Sequence, residues 1–243
     1  MGQRGSGTIF FANCNLSCVF CQNYTISQLG EGREVSAEEL AAMMLSLQGR
    51  GCHNINLVSP THVVPQILEA LDLAVSRGLS IPLVYNTGGY DSVDTLKLMD
   101  GVVDIYMPDM KYADDEVARC YSGVDNYVSV NRAAVAEMQY QVGDLEIDEH
   151  GVAVRGLLVR HLVLPYGLAG SRETMRFLAN EISSNAYVNV MAQYHPCYRA
   201  FDFPQLNRPI TREEFLEAIG CAHEEGLTRL DRMTSSSPRI IFR

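Results

Sequence analysis

Asn54-Ile55-Asn56-Leu57-Val58 is a short apolar run, and after the connection 59–64 Pro65 opens a stretch in which Ile67, Leu68, Leu71, Ala74 and Val75 recur at helical spacing until Gly78. Proline suits the first turn of a helix and glycine the position just past its end, so the pair reads as a strand followed by an amphipathic helix. The same unit repeats in both directions. Upstream, Gly7-Thr8-Ile9-Phe10-Phe11-Ala12 is a strand rich in β-branched and aromatic residues. Ser36 and Glu39 then form a capping-box pattern ahead of Leu40, Met43, Met44 and Leu47, with Gly49 to Gly51 as the stop.

Downstream, Ile81 to Tyr85 gives a third strand, Asp91 caps a helix through Leu96 and Met99, and Val102 to Met107 gives a fourth strand. A helical stretch from about Asp114 to Val142 and a hairpin over Leu145 to Val154, turning at Asp148-Glu149-His150-Gly151, read together as an irregular insertion over about 113–156. Leu157 to Leu164 is an apolar strand interrupted by Arg160 and His161, Ser171 caps the next helix, Ala186 to Tyr194 is the last strand, and Thr211 with Glu214 opens a capped helix running to Gly226. Six strand-then-helix units predict an α/β fold, a parallel sheet with right-handed crossovers, either doubly wound or curved into part of a barrel short of the closed eight. In both cases the ligand site lies at the carboxyl ends of the strands. The whole chain, 1–243, reads as one domain with a flexible segment at about 232–243, where Thr234 to Ser237 lie.

Hydrophobic residues make up 47% of the 243 and charged ones 20%, which argues against disorder, a collagen-like repeat or a coiled coil. A formal charge of -10 opposes a phosphate-tracking surface, so no nucleic-acid partner is expected. No apolar run approaches the roughly 20 residues of a spanning helix, and no signal-peptide core follows the opening Met1 to Gly7; the expectation is a cytoplasmic protein away from membranes. Seven cysteines, an odd number without a secretory signal, point to reduced thiols or metal ligands rather than disulfides.

Three of them crowd into Cys14-Asn15-Leu16-Ser17-Cys18-Val19-Phe20-Cys21, the spacing C-x3-C-x2-C directly after the first strand. Three soft thiolates in one tight loop can grip three corners of an iron-sulfur cube and leave the fourth iron open. Zinc is the alternative, and it would want a fourth Cys or His at similar range, which the nearby sequence does not offer. By strand alternation Met107, Asp109 and Lys111 share one face, as a functional acid-base pair or an ordinary ion pair. Arg160, inside an apolar strand, needs an anionic partner or a cofactor, and His161 points to the opposite face.

The cysteine spacing, with an aromatic residue before the last cysteine, resembles the signature of the radical S-adenosylmethionine (SAM) superfamily. The runs Gly5-Ser6-Gly7-Thr8-Ile9-Phe10-Phe11 and Arg160-His161-Leu162-Val163-Leu164-Pro165 are similar to those of pyruvate formate-lyase activating enzymes and their homologues. The resemblance implies a partial (β/α)6 TIM-type barrel with its helices outside, agreeing with the six units counted independently. It implies a 4Fe-4S cluster on Cys14, Cys18 and Cys21 whose open iron chelates SAM, reductive cleavage to methionine and a 5′-deoxyadenosyl radical, and hydrogen abstraction from substrate. By the same resemblance Lys111 meets the cofactor carboxylate, Asp109 and Met107 flank a monovalent cation completed by Asn86 and Thr87, Asn23 and Phe20 touch SAM, Arg160 matches an arginine of the family's strand, and His195 reaches the ribose or carboxylate end. Cys197, beside it, reads as a buried thiol, a relay or an auxiliary ligand.

Two departures stand out. The family has aspartate where Asn86 stands, which counts against the cation. It also carries Gly-Gly-Glu where this chain has Ser59-Pro60-Thr61-His62, leaving backbone carbonyls near Ser59 and Pro60, or the Thr61 hydroxyl, to meet the SAM amine. The implied partners are an electron donor such as a flavodoxin or ferredoxin and a protein substrate carrying a glycine. Modification of a peptide or small metabolite, and a non-catalytic zinc- or cluster-binding protein, are the alternatives.

Overall fold

The computed structural model describes residues 4–231. The elements run β1 (Gly7–Phe10), α1 (Tyr24–Ser27), α2 (Ala37–Gly49), β2 (Ile55–Val58), α3 (Val64–Ser76), β3 (Leu83–Thr87), α4 (Val93–Lys97), β4 (Ile105–Pro108), α5 (Asp115–Ser122), α6 (Tyr127–Val142), β5 (Glu146–Ile147), β6 (Ala153–Leu162), α7 (Ser171–Phe177), β7 (Tyr187–Met191) and α8 (Arg212–Glu224). The strands lie in the order β1-β2-β3-β4-β6-β7, every neighbouring pair parallel, and β5 adds to β6 as an antiparallel flap. Among the described residues β1 and β7 do not pair, so the six parallel strands form an open, partial barrel. No helix among these residues is long and apolar enough to cross a membrane.

Alternation along the strands sorts side chains to two faces. Ile55, Leu57, Leu83, Tyr85 and Tyr106 are buried in the main core with the helix layer. There α3 lays down Val64, Ile67, Ala70, Leu71 and Ala74, an apolar stripe in which each large side chain stabilises the fold by roughly 1.5–3 kcal/mol. The opposite face carries a smaller cluster of Val84, Ile105 and Leu145 packed with Met107, Ala153, Leu158 and Tyr187. Leu145 and Ala153 come from the β5–β6 flap, which packs at the amino ends of β4 and β6.

Both expected capping boxes form, Ser36 with Glu39 on α2 and Thr211 with Glu214 on α8. Two other caps do not. Asp91 turns into the interior, 1% exposed, while Ser92 occupies the cap position of α4 without a side-chain bond. Ser171 is the first residue of α7 rather than its cap; the cap is Gly170, with φ +65, and the Ser171 hydroxyl instead meets His161 Nε2 at 2.9 Å. The stretch read as one helix over 114–142 is two, divided at Gly123 and Asn126, both left-handed. The region 113–156 is accordingly less irregular than its sequence suggests, since α6 is the crossover helix from β4 to β6. The third strand sits two residues later than expected because Gln48 Oε1 ties down the backbone of Ser80 and Ile81, and pairing starts only at Leu83. That shift brings Asn86 and Thr87 into the carboxyl end of β3.

Candidate functional site

The cysteine loop follows the carboxyl end of β1 and is pinned from several sides. Leu16, 1% exposed, plugs it downward against Gly88, where a Cβ would stand 2.6 Å from Leu16 Cδ1. The end of α5 takes the backbone N–H groups of Ser17 and Val19 on its last carbonyls, both at 2.9 Å, and Arg199 from the loop after β7 donates to Val19 O at 2.9 Å. Each of the three thiols has its own partner. Cys18 Sγ meets Ser122 Oγ at 2.9 Å, Cys21 Sγ meets Ser27 Oγ at 3.0 Å, and Cys14 Sγ lies 3.8 Å from Asn15 Oδ1. Burial pushes the Cys18 thiol up to about 11 against the pull of the Lys111 ammonium and the Ser122 bond, while Cys21 and Cys14 are near enough to push the same way as burial.

Beyond β4, Asp109 holds two cations. Its Oδ1 accepts from Arg160 Nε at 2.8 Å and from Nη2 at 2.7 Å, and its Oδ2 takes Lys111 Nζ. Burial alone would raise the Asp109 pKa, but the Arg160 and Lys111 charges outweigh it and hold the carboxyl below its ordinary value. Burial likewise opposes the charge on Lys111, and Asp109 followed by Cys18 carries its pKa above the ordinary lysine value. The carboxylate partner that Arg160 requires is thus Asp109, across the parallel bridge between their backbones. His161 faces the other way, as expected, and is wholly buried, its Nδ1 bonded to the Met110 carbonyl at 2.8 Å.

Helix α6 clasps this segment from behind. The Tyr127 hydroxyl accepts from the Lys111 backbone N–H at 3.0 Å, and Asn131 Nδ2 donates to Gly89 O at 2.9 Å and to Asp109 O at 3.0 Å. Gly89 has φ +77, and a Cβ there would stand 2.1 Å from Asp109 O. Only glycine lets the β3 turn lie this close to the end of β4.

Several residues expected at the cofactor have other engagements. Thr61 Oγ1 and Thr87 Oγ1 each donate to Asp91 at 2.7 Å, and Tyr85 OH joins them at 3.1 Å. Thr87 shares the helix-facing side of β3 with Tyr85, and Asn86 between them faces the other way. Met107 packs in the inner apolar cluster, and Asp109 has a cationic side chain on each oxygen. Phe20 is 6% exposed, edge-on to Tyr112 and Tyr194, and forms a wall beneath the loop. Ser59 adopts φ +56 and donates its N–H to Asn86 O at 2.9 Å. Asn23 and His195 are exposed at the rim, where His195 Nδ1 lies 3.4 Å from Gln22 Nε2. Cys197 donates to the Phe20 carbonyl at 3.1 Å. The sequence pointed to none of Asp91, Ser122, Tyr127 and Asn131 as site residues, though all four are buried.

The profile of the radical SAM superfamily matches residues 8–138, more than half of the chain. The chain belongs to the radical SAM superfamily. An uncharacterized protein of Methanocaldococcus jannaschii is 32% identical over 231 residues, covering 91% of this chain and 63% of that protein. The pyruvate formate-lyase-activating enzyme of Clostridium pasteurianum is 25% identical over 187 residues, covering 72% of this radical SAM chain and 68% of the relative. Among solved structures, native anSMEcpe with bound AdoMet superposes with a TM-score of 0.59 at 12% identity, over 90% of this chain and 60% of that one. Methylornithine synthase (PylB) gives 0.58 at 14%, over 91% and 63%. These likenesses show the fold, and the chain spans somewhat under two thirds of several of these proteins.

Radical SAM membership implies a 4Fe-4S cluster and SAM, and the donor set suits the cluster. The cysteine loop offers three thiols, each held by its own neighbour, and an iron-sulfur cube takes such thiolates at separate corners.

Proposed function

We propose that this radical SAM protein, read as one domain, binds a 4Fe-4S cluster through Cys14, Cys18 and Cys21, cleaves SAM reductively and abstracts a hydrogen atom from a glycine of a protein partner. The observation that carries the reading is the Lys111 side chain, paired with Asp109 and lying over Gly88 beside Leu16 of the cysteine loop, at the carboxyl end of a six-stranded barrel. A fixed cation beside the cluster loop is suited to the carboxylate of an amino-acid-bearing cofactor.

When bound, the cluster supplies one electron to the SAM sulfonium, and the 5′-deoxyadenosyl radical released takes the substrate hydrogen. The chain's own residues bind, orient and enclose. Lys111 meets the carboxylate. Arg160 keeps Asp109 ionised, so that Lys111 stays charged and aimed. The Thr61 and Thr87 hydroxyl protons are committed to Asp91, so the SAM amine is left to the carbonyls near Ser59 and Pro60, with the Thr61 oxygen able only to accept. Phe20 walls off the floor beneath the cofactor, and Asn23 and His195 reach it from the rim.

Arg160 and Lys111 already neutralise Asp109, and a monovalent cation is no part of this proposal. The glycine-bearing partner is supported by the likeness to a pyruvate formate-lyase-activating enzyme. A flavodoxin or ferredoxin in the cytoplasm would supply the electron.

Anaerobic reconstitution with iron and sulfide tests the reading. The expected result is a brown protein that releases 5′-deoxyadenosine from SAM and dithionite and raises a glycyl radical signal on its partner. Colourless protein with stoichiometric zinc would end it, and deoxyadenosine without any glycyl radical would move the target to a peptide or small metabolite.

A further inference from the structure

Cys18 is set apart from the other two loop cysteines by what lies behind its sulfur. Ser122, with no exposed surface, places Oγ 2.9 Å from Cys18 Sγ, and the same hydroxyl lies 2.7 Å from the hydroxyl of Tyr112, itself 1% exposed. The serine is fixed by its backbone: it ends α5, Gly123 caps that helix in the left-handed conformation, and the Ser122 carbonyl accepts the N–H of Ser17 at 2.9 Å. Tyr112 is fixed by its ring, edge-on to Phe20 and Tyr127.

Between a thiol and two hydroxyls the direction of donation is open, but a thiolate on iron has no proton to give. Ligation therefore forces one order. Ser122 must donate to the sulfur, its oxygen is then free to accept, and Tyr112 must donate to Ser122. Two hydroxyl dipoles in series, both buried, polarise each other. We infer that Tyr112 and Ser122 form a hydroxyl relay onto the sulfur of Cys18 that sets the reduction potential of the cluster, the two acting as positioning residues rather than reacting groups. The inference rests on the cluster assignment of the preceding section. Reduction adds an electron to the cluster, and a hydrogen bond aimed at a ligating sulfur stabilises the added charge, so the relay raises the potential.

The test is a redox titration of the reconstituted protein, followed by electron spin resonance of the reduced cluster, in wild type, Ser122→Ala and Tyr112→Phe. At a fixed potential the ratio of reduced to oxidised cluster should fall about tenfold in Ser122→Ala, equivalent to a negative shift of about 59 mV for one electron. Tyr112→Phe should shift less and in the same direction. It keeps the ring and its packing, so it reads the relay even if the serine variant loosens the loop. Midpoints unchanged in both variants, or a positive shift in either, would overturn the relay. Iron content and visible absorbance are read first. A wild-type protein that takes up no cluster, or a Cys18→Ala variant that keeps a full one, would defeat the ligand assignment and the relay with it.

Discussion

Arg160 binds one oxygen of Asp109 with two of its nitrogens, Nε at 2.8 Å and Nη2 at 2.7 Å, and leaves the second oxygen to Lys111. The carboxylate is the shared anion of two largely buried cations. Removing it is therefore worse than removing either partner, because both positive charges lose their counterion at once. Asp109→Ala should destabilise the protein by about 3–5 kcal/mol in chemical denaturation, and Lys111→Ala by clearly less. In SAM binding Lys111→Ala should lose affinity while keeping its iron. Equal stability of Asp109→Ala and wild type would mean that solvent already screens the triad.

His161 gives a pH dependence with a definite sign. The Met110 carbonyl can only accept, so Nδ1 carries the proton and Nε2 accepts from Ser171. Burial drives the pKa down from 6.5 to about 4, against the Met110 bond and Asp109. The unfolded chain then binds the proton more tightly than the native one, and stability is lost as the pH falls from about 6.5 to about 4. The loss amounts to about 3 kcal/mol, each pH unit between the two values being worth about 1.36 kcal/mol. Unfolding free energies measured across that window should fall less steeply in His161→Asn; identical slopes would show that other groups carry the dependence.

Two glycines with positive φ separate backbone strain from collision. Gly78, φ +94, has nothing within 4 Å of the place a methyl carbon would take, whereas at Gly89 the same carbon would meet Asp109 O at 2.1 Å. Gly78→Ala should cost about 1–2 kcal/mol, the left-handed penalty alone. Gly89→Ala should cost at least about 2 kcal/mol more, since the carbonyl it strikes is backbone and is held by Asn131. Thermal denaturation of the two variants side by side checks the difference, and equal losses would show that the β3 turn can move away from Asp109.

The fold was legible because its signals are local. Short apolar runs bounded by turn residues located the six parallel strands, and at Ser36 and Thr211 both halves of the capping box sit within a single helical turn of sequence. The cysteine loop was legible for the same reason. What escaped were residues whose partners are remote. Asp91 precedes a helix and satisfies the local pattern of a cap, and nothing nearby reveals that Thr61, 30 positions earlier, donates to it. Asn131 reads as one polar position on an ordinary helix, yet its acceptors are Gly89 and Asp109, 42 and 22 positions away. Arg160 announced the need for an anion, and only the parallel register of β4 against β6 brings Asp109 to it.

Asp91 supplies the last prediction. Its carboxylate takes the hydroxyl protons of Thr61, Thr87 and Tyr85, drawing the turn after β2, the end of β3 and the start of α4 onto one buried point. Asp91→Ala strands three donors, each worth about 1–3 kcal/mol when left unsatisfied, although relaxation keeps the sum well below three full penalties. A loss of about 3 kcal/mol in unfolding free energy is expected on that scale. Because the freed turn carries the Ser59 and Pro60 carbonyls, SAM affinity should fall with it, while iron content stays at the wild-type level because the cysteine loop is anchored elsewhere. Equilibrium binding of SAM and iron analysis on the same preparation separate the two effects. If affinity were retained in the destabilised variant, the Ser59–Thr61 turn would have no part in holding the amine.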